Sequence, residues 1–150
     1  MKMLIFAKMK GRLTWDPLRK KNVPLTPEEN VRQWFITMLR DKMEVPMHMM
    51  MSEVGLKYGT GPVQKEFRAD IVVFDRTLSP IMVVECKRPY IELTEQTVEQ
   101  ALRYDMVLDV KYITITNGRS TFICMKEDGK LRFLSVTPKY GEMAGAEKDK

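Results

Sequence analysis

One histidine, His48, stands in 150 residues, which removes histidine-rich metal sites and any chemistry needing two imidazoles. A hydrolase built on this chain has to work with carboxylates, lysine or hydroxyls. Cysteine is nearly as scarce: Cys86 and Cys124 are the two, both inside apolar, strand-like runs where a free thiol behaves as a small buried hydrophobe. No disulfide framework is in prospect, which fits a reducing cytoplasm. Long apolar runs are absent as well. The opening MKMLIF meets Lys8 and Lys10 too soon for a signal peptide, and no later run could cross a bilayer, so a soluble protein away from membranes is expected. GTGPV is too poor in glycine to be a phosphate loop and reads as a turn.

What is present suits one domain, since 44% hydrophobic residues over this length can build one core. The net charge of +5 is unevenly spread. Residues 1–24 carry Lys2, Lys8, Lys10, Arg12, Arg19, Lys20 and Lys21 against the single acid Asp16, leaving the rest near neutrality. Such a segment suits a polyanion such as nucleic acid, and suits equally well a solvated basic arm or short strands.

Residues 25–138 read as the domain proper. In TPEENVRQWFITMLRDK, Thr26 can cap a helix, Pro27 fits its first position and Glu29 can complete a capping box; Val31, Trp34, Phe35, Met38 and Leu39 recur at core-facing spacing. MHMMMSEVGLKYG reads as an edge strand. RADIVVFD and IMVVECK are apolar on both faces, as adjacent central strands are, with RTLSP as the tight turn between them. TEQTVEQALRYDMVL predicts a second helix with Thr94 as cap and Val98, Ala101, Leu102 and Leu108 as its stripe. KYITITNG, STFICMK and KLRFLSV predict hairpin strands with turns at Asn117-Gly118 and Asp128-Gly129, and residues 139–150 are expected to form a disordered tail. The order implies an α/β fold, a central sheet flanked by helices.

The chemistry concentrates where the apolar strands end. Asp70 opens one predicted strand; Glu85 and Lys87 close its neighbour, two apart and so on one face. Across a hairpin these three can meet at one sheet edge. Two carboxylates are the hard oxygen ligands that Mg²⁺ prefers, and a nearby lysine can orient a water or answer charge on a phosphate. Gln100 and Tyr104, spaced i, i+4, can face the same cleft from the second helix. The pattern alone is loose, and taken by itself it is better read as a structural ion pair.

Asp70, Glu85-x-Lys87 and Gln100-x-x-x-Tyr104 resemble the motifs of the PD-(D/E)xK nuclease superfamily, in its RecB-like branch. WDPLRKKNVPLTPEENVRQWF, RADIVVFDRTLSPIMVVECKRP, EQALRYDMVL and YITITNG resemble the N-terminal nuclease domain of type I restriction enzyme R subunits. The resemblance implies a restriction-endonuclease-like core with a mixed sheet, and a metal-dependent DNA nuclease of restriction or repair using Mg²⁺, with Mn²⁺ as substitute. It implies Asp70 and Glu85 as metal ligands, the Cys86 carbonyl as a third, Lys87 as the catalytic lysine, and Gln100 and Tyr104 as contacts to DNA or positioners of the lysine. An acid from the first helix often joins such sites; Glu28 and Glu29 both qualify, with Glu28 preferred because Glu29 belongs to the cap. Ala69 replaces the superfamily's proline. The partners implied are DNA, a second copy of the chain, and a separate translocase or specificity subunit, because no helicase motif is present. A partner-dependent binding module with the same fold is the alternative.

Overall fold

The computed structural model describes residues 11–59, 61, 62 and 64–145; Lys2, Lys8 and Lys10 of the basic segment and the last five residues of the tail lie outside the described residues. The chain begins with a hairpin of β1 (Leu13–Asp16) and β2 (Lys21–Pro24), then α1 (Pro27–Asp41), and a single 3₁₀ turn (Met47–Met49) leads into β3 (Met50–Tyr58). β4 (Lys65–Phe74) and β5 (Pro80–Cys86) follow, then α2 (Glu95–Leu102), a 3₁₀ segment (Arg103–Val107), β6 (Tyr112–Thr116), β7 (Thr121–Glu127), β8 (Lys130–Phe133) and α3 (Tyr140–Ala144).

Strands β3 to β8 form one six-stranded sheet in sequence order. Every neighbouring pair is antiparallel except β5 and β6, which run parallel. A parallel pair needs a crossover, and α2 supplies it. The sheet is therefore mixed, with helices on both faces. On one face Val31, Phe35, Ile36 and Leu39 of α1 pack on Ile71, Val73, Met82 and Val84. On the other Val98 and Leu102 of α2 pack with Val72, Val83, Ile113 and Ile115.

Several expectations are corrected in detail. Trp34 is 39% exposed, whereas Arg32 and Ile36 are buried; the inward face of α1 is turned toward Arg32, which finds carboxylates inside. Thr26 caps α1 by accepting the Glu29 N–H at 3.0 Å, but the Glu29 carboxylate does not close a capping box, because Arg19 and Gln33 take its oxygens at 2.8 and 2.9 Å. The second helix is shorter than TEQTVEQALRYDMVL, tightening into the 3₁₀ segment after Leu102, and Ala101 is exposed. Within the tail expected to be disordered from residue 139, Tyr140–Ala144 form α3. There Tyr140 and Met143 are buried, and the Tyr140 hydroxyl donates to the Phe74 carbonyl at 2.8 Å. One aromatic ring in the core outweighs the polar composition around it.

Candidate active site

A strand's side chains alternate between faces, and beside Asp70 that alternation fails. Ile71 and Val73 pack on the α1 side, so Ala69 should as well, yet it packs on the α2 side. β3 does the same, with Met50 on the α1 side and Val54 and Leu56 on the other. Ser52 pairs with Ile71 and Val54 with Ala69, but Glu53 and Asp70 between them drop out of the ladder. Glu53 has φ = 55°, a left-handed conformation that costs a non-glycine residue about 1–3 kcal/mol. Irregularities of this kind re-aim side chains beside functional sites. The side chain re-aimed here is Asp70, which lies within β4 and not at its opening as the sequence suggests.

Asp70 is held from two directions. Its Oδ2 accepts the Cys86 N–H at 2.7 Å; its carbonyl accepts from Arg32 Nη1 at 3.0 Å, and that nitrogen stands 3.7 Å from Oδ1. Burial pushes the Asp70 carboxyl above its ordinary pKa against the Cys86 N–H and the Arg32 charge, and Glu28 and Glu53 push it the same way. Glu28 is thus within electrostatic reach of Asp70. Glu29 is engaged elsewhere, with Arg19, Gln33 and, at 3.2 Å, Arg32 Nε.

Ile71 pairs with Val84, and one further step of that register sets Asp70 opposite Glu85. Glu85 shares the strand face of Val83, which packs on the α2 side. There it meets Asp105, a residue that sequence reasoning missed. Asp105 is 4% exposed. Burial, then a side-chain hydrogen bond shared with Asp105 and then its like charge, drive the Glu85 carboxyl up from an ordinary 4.5 to about 9; Lys87 opposes the shift and Asp70 adds to it. Burial raises Asp105 too, with the hydrogen bond to Glu85 and then Lys87 opposing. Glu85 Oε2 and Asp105 Oδ2 are buried without a hydrogen-bond partner. Lys87 is placed by its backbone N–H, which donates to the Thr116 carbonyl at 2.8 Å.

The signal for Asp105 was in the sequence. Val98, Leu102 and Asp105 stand at i, i+4 and i+7, one helix face, and the first two are fully buried. Gln100 and Tyr104 lie away from that face: Gln100 is exposed in α2, and Tyr104, in the 3₁₀ segment, is 83% exposed. The structure brings Asp70, Glu85, Lys87 and the Cys86 backbone to the end of β5 and the adjoining part of β4, with Glu28 within electrostatic reach of Asp70, and leaves Gln100 and Tyr104 in solvent.

These residues suit a hard divalent cation. Among the described residues no three Asp, Glu, His or Cys side chains form a metal-binding group as they stand, but Mg²⁺ commonly takes only one or two carboxylates and keeps several waters. Asp70 and Glu85 are two such carboxylates, and one Glu85 oxygen has no hydrogen-bond partner. No helix of the described residues is long and apolar enough to cross a membrane.

Residues 27–138 match the family described as type I restriction enzyme R protein N terminus. A solved fragment described as an HsdR subunit of a type I restriction enzyme from Vibrio vulnificus YJ016 has a similar fold, with a TM-score of 0.56 and 23% identity over 82% of this chain. This chain spans only 26% of that one. No curated protein matches it.

Proposed function

This chain belongs to the type I restriction enzyme R protein N-terminal family, and from that premise we propose that it is a PD-(D/E)xK-type nuclease module hydrolysing DNA phosphodiester bonds. The observation that carries the reading is the contrast inside the site. Asp70 is immobilised by the Cys86 N–H and Arg32, while Glu85 keeps a buried oxygen with no partner two residues from a lysine. A carboxyl held in such surroundings, with one oxygen unpartnered, is the kind of perturbed group that clusters at functional sites.

Asp70, Glu85 and the Cys86 carbonyl would hold Mg²⁺ or Mn²⁺, with Glu28 joining through water. A divalent cation bound there supplies Lewis acidity and a water of lowered pKa. The chain's own residues supply the rest. Lys87 answers negative charge developing on the phosphate and orients the attacking water; Arg32 fixes Asp70 so that its carboxylate need not reorganise. Gln100 and Tyr104, both exposed, would meet the DNA backbone outside the site. The partners are DNA and, for cutting both strands, a second copy related by a two-fold axis.

The short span relative to the Vibrio vulnificus chain favours a second reading, in which cutting depends on a separate translocase or specificity subunit. The test is cleavage of supercoiled, linear and single-stranded DNA with Mg²⁺ or Mn²⁺. Asp70→Ala and Lys87→Ala should each lower the rate by roughly 10² or more, as loss of one electrostatic or acid–base group does. Equal cleavage by either folded variant would sink the proposed site. A wild type that binds DNA without cutting it points to the partner-dependent reading.

A further inference from the structure

Beyond Lys87 the chain does not return to the core at once. Residues 89–94 form one wall of an open cleft of about 430 Å³, and Asn117, Arg119 and Ser120 of the β6–β7 turn form the other. We propose that this cleft seats one unstacked nucleobase of the strand whose phosphate lies at Glu85 and Lys87. The inference rests on the nuclease reading and adds to it a preference for unpaired DNA.

The loop is pinned in place. Asn117 is buried, and its Oδ1 accepts the N–H groups of Arg119 and Ser120 at 2.8 and 2.7 Å, while its Nδ2 donates to the Ile91 carbonyl at 2.7 Å. The Ile91 N–H closes a turn onto the Arg88 carbonyl at 3.0 Å. At the far end Thr94 and Thr97 cap α2 reciprocally. Leu93 packs against the α2-side core, while Tyr90 and Ile91 stay 46% and 38% exposed.

Arg88 extends that surface. Its Nη1 donates to the Tyr90 hydroxyl at 2.9 Å, and its guanidinium lies 5.4 Å from the ring centroid. Aromatic rings and guanidinium planes are the surfaces on which unpaired bases stack. The cleft walls carry Arg119 against Glu92, so charge within the cleft nearly cancels. A phosphate would choose a more basic hollow; a neutral base, with donors and acceptors on its edges, fits this one.

Distance and size agree with that occupant. Pro89 is two residues from Lys87, at most about 7 Å of extended chain, so a base in the cleft belongs to a nucleotide next to the phosphate at Lys87. The volume is at the small end of ligand clefts, which run roughly 300–1,000 Å³. A stacked duplex cannot enter it.

The test is fluorescence anisotropy of a labelled single-stranded oligodeoxynucleotide and of a blunt duplex of the same sequence, with Ca²⁺ in place of Mg²⁺. Wild type should bind the single strand more tightly. Tyr90→Ala, at an exposed position, should keep the melting temperature and lose roughly tenfold in single-strand affinity, the scale of one base–aromatic stack, with duplex binding unchanged. Arg88→Ala should lose affinity for the single strand as well. Single-strand binding unaltered by Tyr90→Ala, or weakened equally for both DNA forms, overturns the cleft proposal and leaves the nuclease reading intact. A wild type that binds neither form overturns both.

Discussion

Asp16 and Glu85 are carboxylates set into the packed body of the same chain, and they are answered in opposite ways. Asp16 is fully buried, with the Leu18 N–H on one oxygen at 2.9 Å and Arg19 Nε on the other. Arg19 then reaches Glu29, whose second oxygen takes Gln33. Burial raises the Asp16 carboxyl, but Arg19 and the Leu18 N–H outweigh it and hold the group below its ordinary pKa. The result is a closed clamp between the β1–β2 hairpin and α1. Glu85 is half-buried against a second carboxyl, keeps one buried oxygen with no partner, and is pushed upward. The first carboxyl is held ionised by its partners, whereas the second is held protonated by its surroundings.

Arg32 belongs to both clusters and is where the comparison breaks most violently. It is 5% exposed and serves Glu29, Glu53 at 3.3 Å, and Asp70. Arg32→Met should cost about 3–5 kcal/mol of folding stability, the scale for leaving buried partners of a charge without it. Urea unfolding reads this directly. Arg32→Lys should recover only part, because an ammonium cannot span three carboxylates with a planar fork. A loss under about 1 kcal/mol for Arg32→Met would show the guanidinium to be dispensable and the two clusters independent.

The second prediction sharpens the contrast through pH, in chelator. The folded pKa of Asp16 lies below its ordinary 3.8, so its contribution is present above 3.8 and lost as pH falls through the folded value. Glu85 is raised from 4.5 to about 9, so its contribution is fully present below 4.5 and lost as pH rises toward 9. Stability should therefore fall on both sides, by at most about 1.4 kcal/mol per pH unit for each proton involved. Urea midpoints across pH 3 to 9, on the order of one per pH unit, trace both limbs. Glu85→Gln should flatten the upper limb alone and Asp16→Asn part of the lower. An upper limb unchanged in Glu85→Gln would mean that Glu85 titrates as an ordinary carboxylate.

Much of this arrangement was legible beforehand. Apolar runs located β4, β5 and β6, and the Thr26 and Thr94 caps located both main helices. Val83 to Lys87 announced its own oddity, two charges two residues apart closing a core strand. What escaped had long-range causes. Glu53 reads as an ordinary strand glutamate until it proves to lie with Asp70 at the break in the β3–β4 ladder, and Arg32 draws no notice until Glu29, Glu53 and Asp70 prove to surround it. Trp34 yielded its inward place for the same reason. Asp105 lay on a visible stripe with Val98 and Leu102, but an acid on an apolar stripe has meaning only once Glu85 is known to face it.

Asp105 also supports the smallest and most discriminating prediction. If it acts only by crowding Glu85 with like charge, Asp105→Asn keeps the shape, relieves the repulsion and lets the Glu85 carboxyl fall toward its ordinary range. The metal-free protein at neutral pH should then gain about 1 kcal/mol, the scale of one pKa unit. Mn²⁺ should bind more tightly by calorimetry, because less work is needed to ionise Glu85 before it can serve as a ligand. If Asp105 instead donates its unpartnered Oδ2 to the cation, the same substitution gains stability and weakens Mn²⁺ binding. Stability and affinity rising together identify Asp105 as a tuner of Glu85; their moving apart makes it a third carboxylate of the site.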